Sequence, residues 1–264
     1  MKPYFKFTIL GCGSSGGVPR IGGIWGNCDP DEPRNTRLRC SLLIQKFGEL
    51  GVTNVLVDTS PDLRSQLLKI GISTLDGVIY THSHSDHVNG IDDLRMIVIN
   101  MQKRLQVYAS KQTKKSILGR FEYAFKTPVG SPYPPILDMN DLPKNLQIHG
   151  PGGTIDFTTF DVEHGNILVS AIKVNNILYT PDISALKNDD EIKNLDYWIL
   201  DSLRYKPHPS HINLEEALEL INKYKPKRSI LTNLHVDLDY TTLLNETPDN
   251  VVPAHDGLQI KFKV

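Results

Sequence analysis

Between His82 and His87 the chain places three histidines and one aspartate, in the order His82-Ser83-His84-Ser85-Asp86-His87. Imidazole nitrogens and carboxylate oxygens are the ligands that borderline divalent metals take. No helical or strand period puts His82, His84, Asp86 and His87 on one face, so amphipathic packing does not explain the group. A polar turn with chance histidines is the bland alternative. The chain has only nine histidines in 264 residues, and so tight a cluster argues against chance. The spacing suits two ions: His82 and His84 alternate toward one, and Asp86 and His87 reach a second beside it.

Such residues need elements that converge. The apolar run Gly77-Val78-Ile79-Tyr80 just before the cluster reads as a buried strand. A loop leaving a strand end can turn several side chains into one cavity. Three further candidates also sit where a strand should end. His164 follows Phe160-Asp161-Val162-Glu163 and precedes Gly165, Asp182 follows Ile177 to Pro181, and His235 follows Ile230 to Leu234. A lone histidine after a strand is usually a satisfied polar residue. Together with the cluster, the three read as one metal constellation.

The remaining elements follow from periodicity and turn chemistry. A strand is expected over Tyr4 to Leu10, then a long Gly- and Arg-rich loop to about Cys40. Ser41 to Phe47 and Asn54 to Asp58 flank Gly48-Glu49-Leu50-Gly51 as a hairpin. A helix opens with Ser60 as its cap and runs to about Ile70; others span about Ile91 to Gln102, Lys111 to Ala124 and Asn213 to Tyr224. Further strands are expected at Leu105 to Ala109, near Thr154, Ile167 to Val174, Ile177 to Thr180, Tyr197 to Asp201, Ser229 to Thr232 and Leu258 to Val264. Asn175-Asn176 suits a tight turn with positive φ. The four prolines of Thr127 to Pro135 require an extended loop. Hairpins in both halves with crossover helices between them predict an α/β protein of two sheets packed face to face, with helices outside.

Composition is ordinary, at 39% hydrophobic and 22% charged residues with net charge −1. That balance gives no global attraction to nucleic acid or an anionic membrane, and it disfavours long RNA or DNA as partner. No apolar run reaches transmembrane length, and the N-terminus lacks a signal peptide's apolar region. Three scattered cysteines, Cys12, Cys28 and Cys40, make no disulfide framework. A cytoplasmic setting is the expectation.

The ordered set Asp58, His82-x-His84-x-Asp86-His87, His164, Asp182 and a late histidine resembles the metallo-β-lactamase superfamily over nearly the whole chain. The resemblance implies a four-layer αβ/βα sandwich and a single hydrolase domain over residues 1–264. It also implies two divalent metal ions, zinc or manganese, bridged by Asp182. His82, His84 and His164 would hold one ion, Asp86, His87 and His235 the other, and Asp58 would support the histidine loop.

Within the superfamily the chain is similar to PhnP-type phosphodiesterases. The opening Gly11-Cys12-Gly13-Ser14-Ser15-Gly16-Gly17-Val18-Pro19, Arg39-Cys40-Ser41, Tyr179-Thr180-Pro181-Asp182 and His208-Pro209-Ser210-His211 carry that likeness. Two departures stand out. The position of the last metal histidine is Asn233, with His235 two residues on, so the assignment of His235 crosses a local shift. Only Cys28 remains of the cysteine-rich zinc knuckle, which predicts no second zinc site.

Two adjacent metals activate a water for hydrolysis. Three features turn the expectation toward phosphate. The glycines from Gly11 to Gly17 can present backbone amides to an anion, although Gly-Ser-Ser-Gly-Gly could equally be a plain turn. Arg20, Arg34, Arg37 and Arg39 add positive charge nearby, although they could equally form a solvated face. His211 matches the histidine that PhnP-like enzymes use at the leaving group, where an imidazole donates a proton. His211 and Asp86 are therefore the candidate catalytic residues. The expected substrate is a small phosphorylated molecule, nucleotide-like or a cyclic sugar phosphate, and a homodimer is compatible with the sequence. The alternatives are a thioester or lactone hydrolase of glyoxalase type and a non-hydrolytic PqqB-like cofactor-biosynthesis protein.

Overall fold

The structure is a computed structural model that describes residues 3–186 and 190–263. It divides into two compact units. One comprises Met1–Leu10, Ser41–Asp156 and Gln259–Val264; the other comprises Gly11–Cys40 and Phe157–Leu258. The chain passes between them inside a strand at residues 156 and 157, which is why no linker composition marks the boundary.

The first unit opens with β1 (Tyr4–Gly11) and the hairpin β2 (Ser41–Gly48) and β3 (Gly51–Val57). The hairpin is tighter than expected. Gly48 pairs with Gly51, so the turn is Glu49-Leu50 alone and β3 begins three residues early. Next come α1 (Leu63–Ile70), β4 (Gly77–Tyr80), the single turn α2 (Ser85–Val88) and α3 (Leu94–Met101). They are followed by β5 (Leu105–Ala109), α4 (Lys111–Arg120), the short α5 (Glu122–Phe125), β6 (Leu137–Asp141) and β7 (Asn145–Ile148). Ser60 is not the cap of α1: its Oγ accepts from Asp62 N and donates to Gln66, and the helix starts after Asp62. The expected helix from Lys111 to Ala124 breaks at Phe121, whose ψ of 35° leaves the helical region. Leu43, Leu56, Val78 and Tyr80 of the sheet pack with Leu63, Leu67, Leu94, Ile97 and Ile117 of the helices as one buried core.

The second unit holds β8 (Ile155–His164), β9 (Ile167–Val174), β10 (Ile177–Thr180) and β11 (Tyr197–Asp201). It continues with α6 (Leu214–Tyr224), β12 (Arg228–Thr232), α7 (Tyr240–Glu246) and β13 (Val251–Pro253). The chain ends in β14 (Gln259–Lys263), which pairs antiparallel with β1. The sheet orders are β14-β1-β2-β3-β4-β5-β6 and β13-β12-β11-β10-β9-β8-β7. Asn175 has the expected positive φ, 51°, in the β9–β10 turn. Leu178, Trp198, Leu200 and Leu231 pack against Leu214, Ala217 and Ile221 of α6 and Leu243 of α7.

Register fixes where the polar residues emerge. β10, β11 and β12 are parallel, with Thr180 beside Leu200 and Asp201 beside Thr232. β8 is antiparallel to β9 and β9 to β10, so β8 runs the same way as β10. His164, Asp182, Asp201 and Asn233 therefore all lie at one sheet edge, the carboxyl end of these four strands. In the first unit β3 and β4 are parallel, with Val57 beside Ile79, so Asp58 and Thr81 leave the same edge together.

Candidate metal centre

Asp58 organises the first unit's donors. It is fully buried, with φ of 63°. Its Oδ1 accepts from Thr81 N at 2.8 Å, and its Oδ2 accepts from Thr81 Oγ1 at 2.7 Å and faces His87 Nδ1 at 2.8 Å. Burial pushes the Asp58 carboxyl up, while His87 and Thr81 draw it back down. Thr81 Oγ1 also meets His82 Nδ1 at 3.0 Å. The Nδ1 atoms of His82 and His87 are thus engaged from behind, and Nε2 is the atom each turns to a ligand. An outer partner on one ring nitrogen is the arrangement in which a histidine holds a metal through the other. The ring centroids of His82 lie 4.6 Å from His84 and 4.3 Å from His87. His84 forms the N-cap of α2, and Asp86 Oδ2 lies 3.6 Å from His87 Nε2. Arg120, at the end of α4, secures the loop by donating to Ser83 O and Asn89 Oδ1, both at 2.7 Å.

In the second unit, His164 closes β8 and is buried. Its Nδ1 donates to the carbonyl of Ser210 at 2.5 Å, and its Nε2 lies 3.6 Å from Asp182 Oδ2. Gly165, with φ of 58°, makes room: a Cβ there would stand 2.9 Å from Ser210 Cβ. Asp182 is 3% exposed, so its carboxylate is withdrawn from water. Asp201 closes β11 and accepts from Ile183 N at 3.0 Å. Its Oδ2 also takes the Nδ1 hydrogen of His211 at 2.8 Å. That bond fixes the His211 tautomer and leaves proton exchange to Nε2. Burial and the neighbouring Asp182 push the Asp201 carboxyl up, against the pull of His211. The His211 ring lies edge-on to that of His164, with centroids 4.4 Å apart.

The two late candidates separate. The Asn233 amide lies 3.1 Å from Asp201 Oδ1, 3.2 Å from His211 Nδ1 and 3.5 Å from Asp182 Oδ1. His235 instead meets Arg20 at Nε2, with Asp237 close to its other ring nitrogen. Burial, Arg20, Arg204 and His208 push the His235 imidazole down to about 4, so it is neutral at pH 7. The structure thus brings Asn233 to Asp182 and holds His235 with Arg20.

The arginines also sort by role. Arg34 pairs with Glu32, and Arg37 is buried, bonded to Asn35 and to the carbonyl of His235. The sequence reading missed Asp201, the Ser210 carbonyl and Arg120. Asp201 carried a signal, since it ends an apolar strand just as Asp58 does. The other two act across long sequence separations, and no local pattern marks them.

A family model described as "Beta-lactamase superfamily domain" matches residues 53–233. A solved "New Diphosphatase from the PhnP Family" is 30% identical, covers 99% of this chain and 98% of its own, and superposes with a TM-score of 0.86.

The chain belongs to the metallo-β-lactamase superfamily, in its PhnP branch. Its fold is the α/β fold expected from the sequence. Zinc-bound PqqB from Methylobacterium extorquens superposes with a TM-score of 0.70 at 17% identity, over 97% of this chain and 99% of its own, a likeness of fold alone. A curated relative from Porphyromonas gingivalis named octanoyltransferase is 32% identical over 96% of this chain. This chain spans about half the length of that relative, 51%. Among the described residues, no helix is long and apolar enough to cross a membrane.

Proposed function

We propose that the protein is a dinuclear metal-dependent phosphodiesterase acting on a small nucleotide-like or cyclic sugar phosphate. His82, His84, Asp86, His87, His164 and Asp182 are the proposed ligands, with Asp182 shared between the ions. Their chemistry fits: imidazoles oriented through Nδ1 offer Nε2, and the carboxylates supply oxygen donors suited to zinc or manganese. When bound, the metals would supply an activated water and polarise the phosphoryl oxygens.

The chain's own residues supply the rest. Asp201 holds the His211 ring through Nδ1, so that Nε2 can carry a proton to the departing oxygen. Asp58 and Ser210 hold the ligand rings in one tautomer. The observation that carries the reading is the Asp201–His211 pair at 2.8 Å, beside His164 at the sheet edge that also carries Asp182. A hydrolase that needed only metal-bound water would have no use for a buried carboxylate behind a largely buried imidazole there.

The acyl transfer in the name of the longer Porphyromonas gingivalis relative is not assigned to this chain, which matches only half of that protein. The test is a substrate panel on metal-loaded protein: bis-p-nitrophenyl phosphate, p-nitrophenyl phosphate, a glutathione thioester and a lactone. Turnover of the diester well above the other three is expected. Preference for the thioester or lactone would reverse the reading in favour of a glyoxalase-type hydrolase.

A further inference from the structure

The proline-rich loop of Thr127 to Pro135 has no part in the centre proposed above, yet it builds one wall of a cleft. The cleft holds about 590 Å³ and lies wholly in the first unit, between α3 and the segment that joins α5 to β6. Small-molecule pockets commonly run from about 300 to 1,000 Å³. Val98 and Ile99 of α3 form one side, and Pro128, Pro134 and Pro135 the other. The loop is fastened at three points. Ser131 N donates to Pro128 O at 3.0 Å, across a turn in which Gly130 takes φ of 80°. Tyr133 N donates to Ser131 Oγ at 3.2 Å, and Ile136 N to Ala124 O at 2.9 Å. Proline rings also fix φ, so this wall is set before any ligand arrives.

Two aromatic rings complete the lining, Tyr123 and Tyr133. Tyr133 is 70% exposed, and Ile99 and Tyr123 are exposed as well, so much apolar lining is left in water. Arg95 brings charge to this apolar cleft. It makes no hydrogen bond or ion pair among the described residues. It also stands in the first turn of α3, where the helix dipole disfavours a cation, so helix stability does not explain it. The nearby acids face other groups. Asp92 accepts from the Tyr123 hydroxyl at 2.7 and 2.8 Å, and Asp93 lines a separate cleft with Arg64. Burial and Asp92 push the Tyr123 phenol up to about 12, against the pull of Arg95, so the guanidinium charge reaches the aromatic wall.

We propose that this cleft binds a small aromatic carboxylate, its ring among the tyrosines and prolines and its carboxylate on Arg95. A planar guanidinium donates a fork of hydrogen bonds that matches a carboxylate. A flat ring suits walls that are themselves made of rings. None of the lining residues is a candidate metal ligand, so the site stands whether or not the phosphodiesterase reading does.

The experiment titrates metal-loaded protein by calorimetry with 2-naphthoate, with its neutral counterpart 2-naphthamide, and with decanoate. Wild type should take one 2-naphthoate per chain and bind it roughly 10- to 100-fold more tightly than the amide, the range expected of a charged hydrogen bond. Arg95→Met keeps the apolar stem and should erase that preference, while Arg95→Lys should keep part of it. Tyr133→Ala, at an exposed position, should weaken both naphthyl ligands. Circular dichroism and metal analysis should match wild type in every variant. No binding, or equal affinity for acid and amide in wild type, overturns the inference. A preference that survives Arg95→Met also overturns it, since the carboxylate then sits elsewhere, on the metals for example. Tighter binding of decanoate than of 2-naphthoate overturns the aromatic class.

Discussion

Asp58 shows how much one side chain can determine in this site. Three hydrogen bonds converge on a fully buried carboxylate, and through Thr81 and His87 they set the orientation of the whole histidine loop. Changing Asp58 to Asn turns one acceptor oxygen into a donor, which conflicts with at least one of these partners. Outer partners of metal ligands typically cost 10- to 100-fold in metal affinity when changed. Asp58→Asn should therefore bind metal about that much more weakly, as read by competition with a chromophoric chelator. Wild-type affinity in that variant would show that the loop holds its shape without the carboxylate. His235 and Asn233 teach the complementary lesson. Their spacing left open which one approaches Asp182, and only the turn after β12, where Asn233 takes φ of 61°, brings the amide inward.

At the scale of elements, helix termini tie the loops of the second unit down. Asn213 and Glu216 form a complete capping box that starts α6 just after His211. Asp239 caps α7 through Thr242 N and also accepts from Asn35 Nδ2 and Asp29 N. Burial alone would raise the Asp239 carboxyl, but these hydrogen bonds outweigh it and hold the group at about 2. A carboxyl lowered by folding stabilises the protein above its unfolded pKa, near 4, and that stability is lost as pH falls through about 2. The shift corresponds to about 2 kcal/mol. Asp239→Asn should thus lower stability at pH 7 by about that amount, and urea unfolding should show the gap to wild type closing between pH 4 and pH 2. A gap that stays constant over that range would refute the linkage. Most elements were legible because their apolar periods and turn residues are local: the β9–β10 turn at Asn175-Asn176 and α6 are clear cases. Boundaries set by competing contacts were not. Ser60 looked like a cap but bonds Gln66, and β6 and β7 lack the apolar density that marks a strand.

For the whole molecule, net charge of −1 leaves recognition to local groups. In each unit a buried carboxylate at a strand end holds a histidine of the candidate site, Asp58 behind His87 in one and Asp201 behind His211 in the other. The candidate donors could be picked out in the sequence because they stand just after strands. The Asp201–His211 partnership could not be, since the two stand ten positions apart across a loop. That partnership is also where the proposed chemistry is most exposed to test. General-acid assistance is worth roughly 10²- to 10⁴-fold and matters most for a poor leaving group. The most direct measurement compares wild type and His211→Ala, both with measured metal content, on a dinucleotide diester and on bis-p-nitrophenyl phosphate. The variant should keep its metals and lose roughly 10²-fold or more on the dinucleotide, against a much smaller loss on the aryl diester, whose phenolate departs with little help. Equal losses on both substrates, or no loss on either, would contradict proton donation by His211.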